Sequence, residues 1–325
     1  MAGEIWVLVE QWRGRVSDVT YEVLALGREV SAATGASLQA VLLGSDVKDL
    51  LPTLGAADGV LVTEHPTLGE PVSEIWALAL AQLVERHQPL VLLIPQTNVT
   101  MEIGSLLATR LRLPFVNFCR DIQVTDKRLV ARCLLYGGKV EATVAPQTPA
   151  VLGVLPGVRP QEQGRAERTP TVTAISLDLP AEPPVRFKGY TEPPPGDVDI
   201  TRENILVAVG RGIQRPENVA LAEELAAALG GAVCGSRPVI DQGWLPPSRQ
   251  VGTSGMIVKP QLYLALGISG APEHVQGMKD AALIIAINTD PRAPIFSVAH
   301  YGAVVDALEV LPVLTEIARS RRRVA

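Results

Sequence analysis

The first hundred residues alternate between short apolar runs and longer stretches in which apolar residues recur every three or four positions. The first pattern is typical of buried strands, and the second is typical of helices that pack on one face. The predicted strands are residues 5–9, 38–43, 59–62 and 90–94, and the predicted helices are residues 19–34, 71–87 and 100–111. This alternation predicts a parallel sheet that is covered by helices.

Short β patterns without intervening helices follow from residue 115 to residue 154. Within this stretch, the runs 129–136 and 139–144 flank the pair Gly137 and Gly138. A glycine pair between two such runs is typical of a β-hairpin. We therefore expect an antiparallel β addition to the first domain.

A proline-rich segment separates the two halves of the chain. Residues 180–196 contain six prolines in seventeen positions. Proline fixes φ and lacks a backbone donor, so this composition disfavours helix and central strand and predicts an extended connector. We therefore predict two domains, residues 1–190 and residues 191–325.

The second half repeats the alternation of strand and helix patterns. The predicted strands are residues 204–209, 232–235, 262–266 and 283–287, with a short run at 294–297, and the predicted helices are residues 216–229, 272–279 and 304–319. The fold class is thus α/β, with two doubly wound parallel-sheet domains, of which the second is Rossmann-like. Ligands of such sheets bind at the carboxyl ends of the strands.

Composition excludes several classes of protein. The 325 residues are 47% hydrophobic and carry a net charge of −5, which suits two buried cores and argues against nonspecific binding of nucleic acid. The three cysteines form no CxxC or Cys/His array, so we expect neither a disulfide framework nor a metal site. Every apolar run is shorter than the roughly 18 residues of a membrane span, and the first run already predicts a core strand. We therefore expect a cytoplasmic protein without a leader segment.

The predicted strand ends of the second domain carry small and polar residues. Residues 210–215, GRGIQR, begin like a dinucleotide fingerprint, but Arg215 stands where its third glycine belongs. Ser236 and Arg237 occupy the position of the acidic residue that NAD binding requires. These two differences argue against a nicotinamide-dependent dehydrogenase.

Two further glycine-bearing loops follow, at residues 250–255 and 264–291. Glycine lets a backbone approach a ligand closely, and the amides at a helix start favour anions, so these loops suit a pyrophosphate or the pyrimidine edge of a flavin. In the alternative interpretation, Gly267 and Gly270 only make a tight turn and His274 is a hydrogen-bonded helix residue.

Several ordered motifs carry a resemblance to a known family. Residues 248–312, which include SRQVGTSG, LALGISGAPEHVQGM and AINTDPRAPIF, closely resemble the C-terminal signature of the alpha subunit of electron-transferring flavoproteins. The upstream motifs VAVGRGIQRPEN and GSRPVIDQGW resemble the same family in the same order. The resemblance covers essentially all of the second domain, whereas the first matches only in general layout.

This resemblance implies an electron carrier rather than an enzyme that converts a substrate. It implies one FAD in the second domain and a heterodimer with a beta subunit, toward which the first domain faces. The beta subunit holds AMP in housekeeping members and a second FAD in electron-bifurcating members. The expected redox partners are flavin dehydrogenases and iron–sulfur or quinone-linked oxidoreductases.

The resemblance also implies which residues contact FAD. Those assigned to its adenosine and phosphate portion are Arg211, Ser236, Asn288, Asp306 and Ala307. Those assigned to the flavin are Arg237, Val251, Gly252, Thr253 and Ser254. Those assigned to both the pyrophosphate and the ring are Ser269, Gly270, Ala271, Pro272, Glu273 and His274.

Three of these residues are expected to tune the flavin. Arg237 and a donor from His274 would stabilise the negative charge of the reduced ring, and Ser254 would donate to N5. In the alternative interpretations, Arg237 forms a surface ion pair, Ser254 and Asn288 form turns, and Asp306 is a solvated helix residue.

Two further features of the sequence bear on the function. His300 replaces the aspartate of a common ADYG motif, and near the cofactor it would alter the local charge. The rival function is an adenine-nucleotide-binding sensor module without redox activity, because the first domain also predicts a parallel sheet. That domain contains no P-loop sequence.

Overall fold

The computed structural model describes residues 3–126, 128–190 and 197–322. The chain divides into two compact units, with the division between Gly189 and Tyr190. The predicted connector, residues 180–196, spans this division, and its residues 191–196 lie outside the described residues. Each unit has its own sheet and its own buried core.

The first unit contains eleven strands and three helices among its described residues. The strands are β1 (Glu4–Leu8), β2 (Gln11–Trp12), β3 (Arg15–Val16), β4 (Ser37–Gly44), β5 (Gly59–Glu64), β6 (Val91–Pro95), β7 (Phe115–Thr125), β8 (Arg128–Leu135), β9 (Val140–Val144), β10 (Ala150–Val154) and β11 (Thr171–Ala174). The helices are α1 (Asp18–Thr34), α2 (Ser73–His87) and α3 (Ile103–Leu111). Nine strands form one sheet in the order β11-β5-β4-β1-β6-β10-β7-β8-β9.

The apolar residues of β1 explain why helices cover both faces of this sheet. Successive side chains of a strand point to opposite faces. Ile5 and Val7 pack into the core that includes residues of α1, whereas Trp6 and Leu8 pack into the core formed with α2 and α3. The strand is central and pairs in parallel with β4 and β6. The prediction of a helix-covered parallel sheet is therefore confirmed.

The antiparallel addition is confirmed in part. β7, β8 and β9 pair antiparallel, and the β8–β9 hairpin turns at Gly137 and Gly138, which both have positive φ. β10, however, returns between β6 and β7 and is parallel to both. All five of its residues are buried, as is typical of an interior parallel strand. The edge strand β11 was not predicted, because its four residues are exposed and include no apolar run.

The second unit contains a five-stranded parallel sheet. Its strands are β12 (Ile205–Val209), β13 (Ala232–Gly235), β14 (Leu262–Leu266), β15 (Ile284–Asn288) and β16 (Tyr301–Val304), in the order β13-β12-β14-β15-β16. Its helices are α4 (Val219–Leu229), α5 (Arg237–Asp241), α6 (Pro272–Gln276) and α7 (Ala307–Arg322). All four strand pairings are parallel, so the five carboxyl ends lie at one edge.

The C-terminal segment differs from its prediction. A helix was predicted from residue 304, but Val304 ends the unpredicted strand β16 and the helix begins at Ala307. The reason is Asp306, whose Oδ1 accepts a hydrogen bond from the Leu308 amide at 2.9 Å and so caps the helix. The short run 294–297 forms a 3-10 turn. None of the helices in the described parts of the chain combines the length and the apolar content of a membrane span.

Candidate functional site

The predicted site residues collect at the carboxyl edge of the second sheet. Arg211 follows β12, Ser236 and Arg237 follow β13, and Asn288 ends β15. The loop at residues 250–255 joins the same edge, because the Val251 amide donates to the carbonyl of Gly235 at 2.9 Å. The other predicted residues of this edge lie after β14 or at the start of α7: Ser269, Gly270, Ala271, Pro272, Glu273, His274, Asp306 and Ala307. The parallel direction of the strands thus brings the predicted site residues to one edge. The contacts of these residues with FAD stay a prediction.

Close backbone contact between glycines joins the loops after β12 and β14. The Gly212 amide donates to the Gly267 carbonyl at 3.1 Å. A Cβ on Gly210 would lie 2.3 Å from that carbonyl oxygen, and a Cβ on Gly267 would lie 2.6 Å from the Gly212 Cα. Gly267 also has φ +63, a conformation that side chains disfavour. Glycine is therefore required at these positions by the fold itself.

Gly270 has a similar structural reason. Its φ is +87, and a Cβ there would lie 2.3 Å from the backbone nitrogen of Ile295. The Ile295 amide donates to the carbonyl of Ser269 at 3.0 Å, which holds the two segments together. The sequence interpretation was that this glycine makes room for a pyrophosphate. In the structure its immediate neighbour is protein backbone, as the tight-turn alternative requires.

The loop at residues 250–256 folds back on itself and on the first turn of α6. Its Gly252 amide donates to Met256 O at 3.1 Å, and the Thr253 amide donates to Glu273 O at 2.9 Å. A Cβ on Gly277 would lie 2.4 Å from the Gly252 nitrogen, so the loop rests directly on the helix end. The two loops that were predicted to contact the flavin are therefore fastened to each other.

His274 lies behind these loops rather than on their surface. Its side chain is 5% exposed, and its Nδ1 is 3.1 Å from the Val251 carbonyl oxygen. A carbonyl only accepts, so Nδ1 carries the proton and Nε2 is left as an acceptor for the Tyr263 hydroxyl at 2.9 Å. Burial lowers the pKa of His274 from 6.5 to about 4, which keeps the ring neutral.

This geometry agrees with the alternative in which His274 is a hydrogen-bonded helix residue. Both ring nitrogens have protein partners, so a bond to a flavin would have to replace one of them. The predicted donation from His274 to the ring stays a prediction. The sequence predicts Tyr263 only as a strand residue. The structure shows that its hydroxyl is the hydrogen-bond partner of His274.

Arg237 and Ser254 are exposed at the loop edge. The Arg237 side chain is 67% exposed and its Nε lies 3.4 Å from Oδ2 of Asp241, one helical turn later. The surface ion pair of the alternative interpretation is therefore present. Such an exposed pair is worth at most about 1 kcal/mol, so it leaves the guanidinium able to bind another anion. The Ser254 hydroxyl accepts a hydrogen bond from Gln250 Nε2 at 2.8 Å.

Asn288 and Asp306 hold loops together. Asn288 Nδ2 donates to Ile268 O at 2.9 Å, and its Oδ1 accepts from the Asp290 amide, which forms a turn. Asp306 caps α7 and also accepts from Gln214 Nε2 at 3.3 Å. Asn288 thereby links the loops after β14 and β15, and Asp306 links α7 to the loop after β12. The turn interpretation of Asn288 is observed, whereas Asp306 has protein partners.

The remaining predicted residues fall into an exposed and a buried group. Ser236, which precedes α5, and Ala307, which begins α7, are buried. The exposed residues are Arg211, Thr253, Ser269, Ala271, Pro272 and Glu273. The guanidinium of Arg211 and the hydroxyls of Thr253 and Ser269 are donors that fit an anionic dinucleotide such as FAD, and the small side chains of Ala271 and Pro272 leave the backbone beside them accessible. Among the described residues, no three His, Cys, Asp or Glu side chains are grouped as a metal site would require.

His300 lies at the opposite edge of the sheet. Its Nδ1 accepts a hydrogen bond from the amide of Ile284, the first residue of β15. The loop residue Asn288 ends that strand, and four steps of about 3.3 Å separate the two by about 13 Å. The structure does not place His300 among the residues of the carboxyl edge, and its effect on the charge beside the cofactor stays a prediction. Its ring instead connects the starts of β15 and β16.

Comparison with known proteins identifies relatives of the whole chain. Residues 5–180 match the model of the electron transfer flavoprotein domain, and residues 199–279 match the model of the electron transfer flavoprotein FAD-binding domain. Protein FixB of Clostridium saccharobutylicum is 37% identical, over 95% of this chain and 94% of its own length. Electron transfer flavoprotein subunit alpha of Thermoanaerobacterium thermosaccharolyticum is 33% identical, over 96% and 97%. Acryloyl-CoA reductase electron transfer subunit beta of Anaerotignum propionicum is 33% identical, over 96% and 95%.

The contact of Gly270 with Ile295 predicts a loss of stability that exceeds the effect of its positive φ. Gly243 is a matched control, because it has φ +72 and no heavy atom within 4 Å of a Cβ position. Replacement by Ala should cost about 1–2 kcal/mol at both positions. Gly270→Ala should cost about 1–3 kcal/mol more, because its Cβ collides with backbone. Urea denaturation of the two variants measures this difference, and equal losses would contradict the contact.

The buried neutral His274 predicts a dependence of stability on pH. Between pH 6.5 and about 4 the unfolded histidine binds a proton and the folded one does not, so the free energy of unfolding falls as pH falls through this window. The full effect is about 3–4 kcal/mol, at about 1.4 kcal/mol per pKa unit. His274→Gln should flatten the curve, and His300→Gln is the control. The free energy of unfolding is measured by denaturation at several pH values from 7 to 4.5. If it falls as steeply with pH in His274→Gln as in the wild type, the assignment is refuted.

Proposed function

Since this chain belongs to the alpha subunits of the electron transfer flavoprotein family, we propose that it is an electron carrier that uses one FAD. Its second unit binds this FAD, because residues 199–279 are the FAD-binding domain of the family. The observation that carries the proposal is that the loops of this domain meet at one edge of the sheet. These loops expose hydrogen-bond donors, and their backbones contact one another closely at glycines. In this proposal the chain accepts electrons from flavin dehydrogenases and passes them to iron–sulfur or quinone-linked oxidoreductases.

The side chains of the loop edge have distinct proposed roles. Bound FAD supplies reversible one- and two-electron chemistry. Arg211 and Ser269 bind its phosphate portion, with the loop amides as further donors. Arg237 provides a positive charge beside the ring and stabilises negative charge that grows there on reduction. Ser254 donates a hydrogen bond from its hydroxyl to the ring.

Asn288, Asp306 and His274 act in this proposal mainly by holding the loops. Their polar atoms contact protein partners, which fixes the backbone that FAD would meet. Ser236, Val251, Gly252 and Ala307 contribute small or backbone contacts. The exposed residues Thr253, Ala271, Pro272 and Glu273 complete the surface that the cofactor covers.

We propose that the first unit faces a beta subunit. It exposes four large apolar side chains on or beside the β8–β9 hairpin, and Tyr136 is 80% exposed. These residues are Phe118, Leu135, Tyr136 and Val140. Such exposed apolar groups in one region are typical of a surface that a partner covers. The relative from Anaerotignum propionicum is named an electron transfer subunit of acryloyl-CoA reductase, which supports a partner subunit here.

The class of carrier depends on the beta subunit. A housekeeping carrier would hold AMP in that subunit, and a bifurcating complex would hold a second FAD there. An adenine-nucleotide sensor without redox activity is not favoured, because the chain carries the FAD-binding domain of the family.

The proposal is tested by the flavin content of the complex of this chain with its beta subunit. We expect one FAD per alpha chain, and a second FAD or an AMP assigned to the beta subunit. Release of the nucleotides by heat and their separation by chromatography gives the counts. A colourless complex that contains only adenine nucleotides would support the sensor function.

Arg237→Ala should lower the midpoint potential of the bound flavin. Arg202 is a matched control, because it is equally an exposed arginine paired with an aspartate, Asp199, but precedes β12 at the other edge. We expect a drop of roughly 10–40 mV in Arg237→Ala, which is an exposed ionic interaction of about 0.2–1 kcal/mol converted for one electron, with FAD still bound. Spectroelectrochemical titration measures the potential. Equal potentials in wild type, Arg237→Ala and Arg202→Ala would remove Arg237 from the proposed mechanism.

A further inference from the structure

Gln250 is a buried amide at the base of the loop that carries Ser254. Its side chain is 9% exposed, and its Nε2 donates to Ser254 Oγ at 2.8 Å. The backbone of Gln250 is also held by two hydrogen bonds. Its backbone N–H donates to Pro247 O at 3.1 Å, and its backbone carbonyl accepts from the Met256 N–H at 2.7 Å. The side-chain amide of Gln250 therefore extends from a fixed backbone at the base of the exposed loop.

Gly255 limits the freedom of this glutamine further. A Cβ at Gly255 would lie 2.5 Å from the Gln250 carbonyl oxygen and 2.9 Å from its Cγ. The glycine thus lies directly against both the backbone and the side-chain stem of Gln250. This contact restricts the Gln250 side chain, whose amide nitrogen lies 2.8 Å from Ser254 Oγ.

The direction of the hydrogen bond decides where the Ser254 proton goes. An amide nitrogen only donates, so Ser254 Oγ must accept from Gln250. The serine hydroxyl has a single hydrogen, which then points away from Gln250. Ser254 itself is exposed, so this hydrogen is available on the outer surface of the loop.

We infer that Gln250 is a positioning residue, which orients the Ser254 hydroxyl so that its proton faces the cofactor edge. This inference rests on the proposed function, in which Ser254 donates to the flavin ring. A ring that gains negative charge on reduction accepts such a hydrogen bond more strongly. Gln250 therefore raises the affinity for reduced over oxidised flavin without touching the flavin itself.

The test uses two substitutions of similar size in the complex with the beta subunit. Gln250→Glu replaces the donor by an acceptor, so the Ser254 hydroxyl turns its proton toward the carboxylate. Gln250→Met removes hydrogen bonding without adding charge. The readouts are the FAD content and the midpoint potential of the bound flavin. If Gln250 acted only on stability, the shift of the potential would not depend on the Ser254 hydroxyl.

We expect both variants to keep FAD and to lower the preference for reduced flavin. The expected loss is about tenfold in Gln250→Glu, which equals about 59 mV for one electron, and about threefold in Gln250→Met. Each substitution is repeated together with Ser254→Ala. Gln250→Met should then cause no further shift, because the hydroxyl that it orients is gone.

The outcomes separate this inference from the function on which it rests. Equal shifts of Gln250→Met with and without the Ser254 hydroxyl would overturn the positioning role, as would an unchanged potential in both single variants. Wild-type complex without FAD would overturn the proposed function, and the inference with it. Wild-type complex with FAD but without coupling between the two residues would overturn the inference alone.

Discussion

The common direction of the five strands in the second sheet is the constraint on which the loop edge depends. Because every pairing from β13 to β16 is parallel, each connection must return across the sheet before the next strand begins. All five carboxyl ends therefore meet at one edge, although the residues that follow them lie up to about a hundred positions apart. The same constraint sends His300 to the other edge, next to Ile284.

Hydrogen bonds, rather than ion pairs, hold the loops of this edge together. Tyr263, His274 and the Val251 carbonyl form a buried chain in which every donor has an acceptor. Asn288 links two loops through its amide. Charged groups such as Arg237 stay on the outside, where they can meet an anionic ligand without a large cost of burial. The interior thus provides rigidity, and the exposed rim provides charge.

The sequence predicts most strands of both sheets, because buried parallel strands are nearly continuous apolar runs. β11 and β16 escape this rule, since every residue of either edge strand is exposed. The positions of the candidate site follow from the family motifs, but their contacts do not. No pattern of spacing reveals that His274 is buried against Tyr263, or that the neighbour of Gly270 is the Ile295 backbone. Those facts depend on packing between segments that are distant along the chain.

The contact between Gly212 and Gly267 has a consequence for how the sequence of this edge can change over evolution. In most packed pairs, a larger residue on one side can be accommodated by a smaller one on the other. Here both partners already lack side chains, and a Cβ on either would meet the backbone of the other at less than 3 Å. No second substitution can restore the space, so neither position can drift by a compensated pair of changes. Related chains that keep this loop contact should show both glycines as invariant and without covariation.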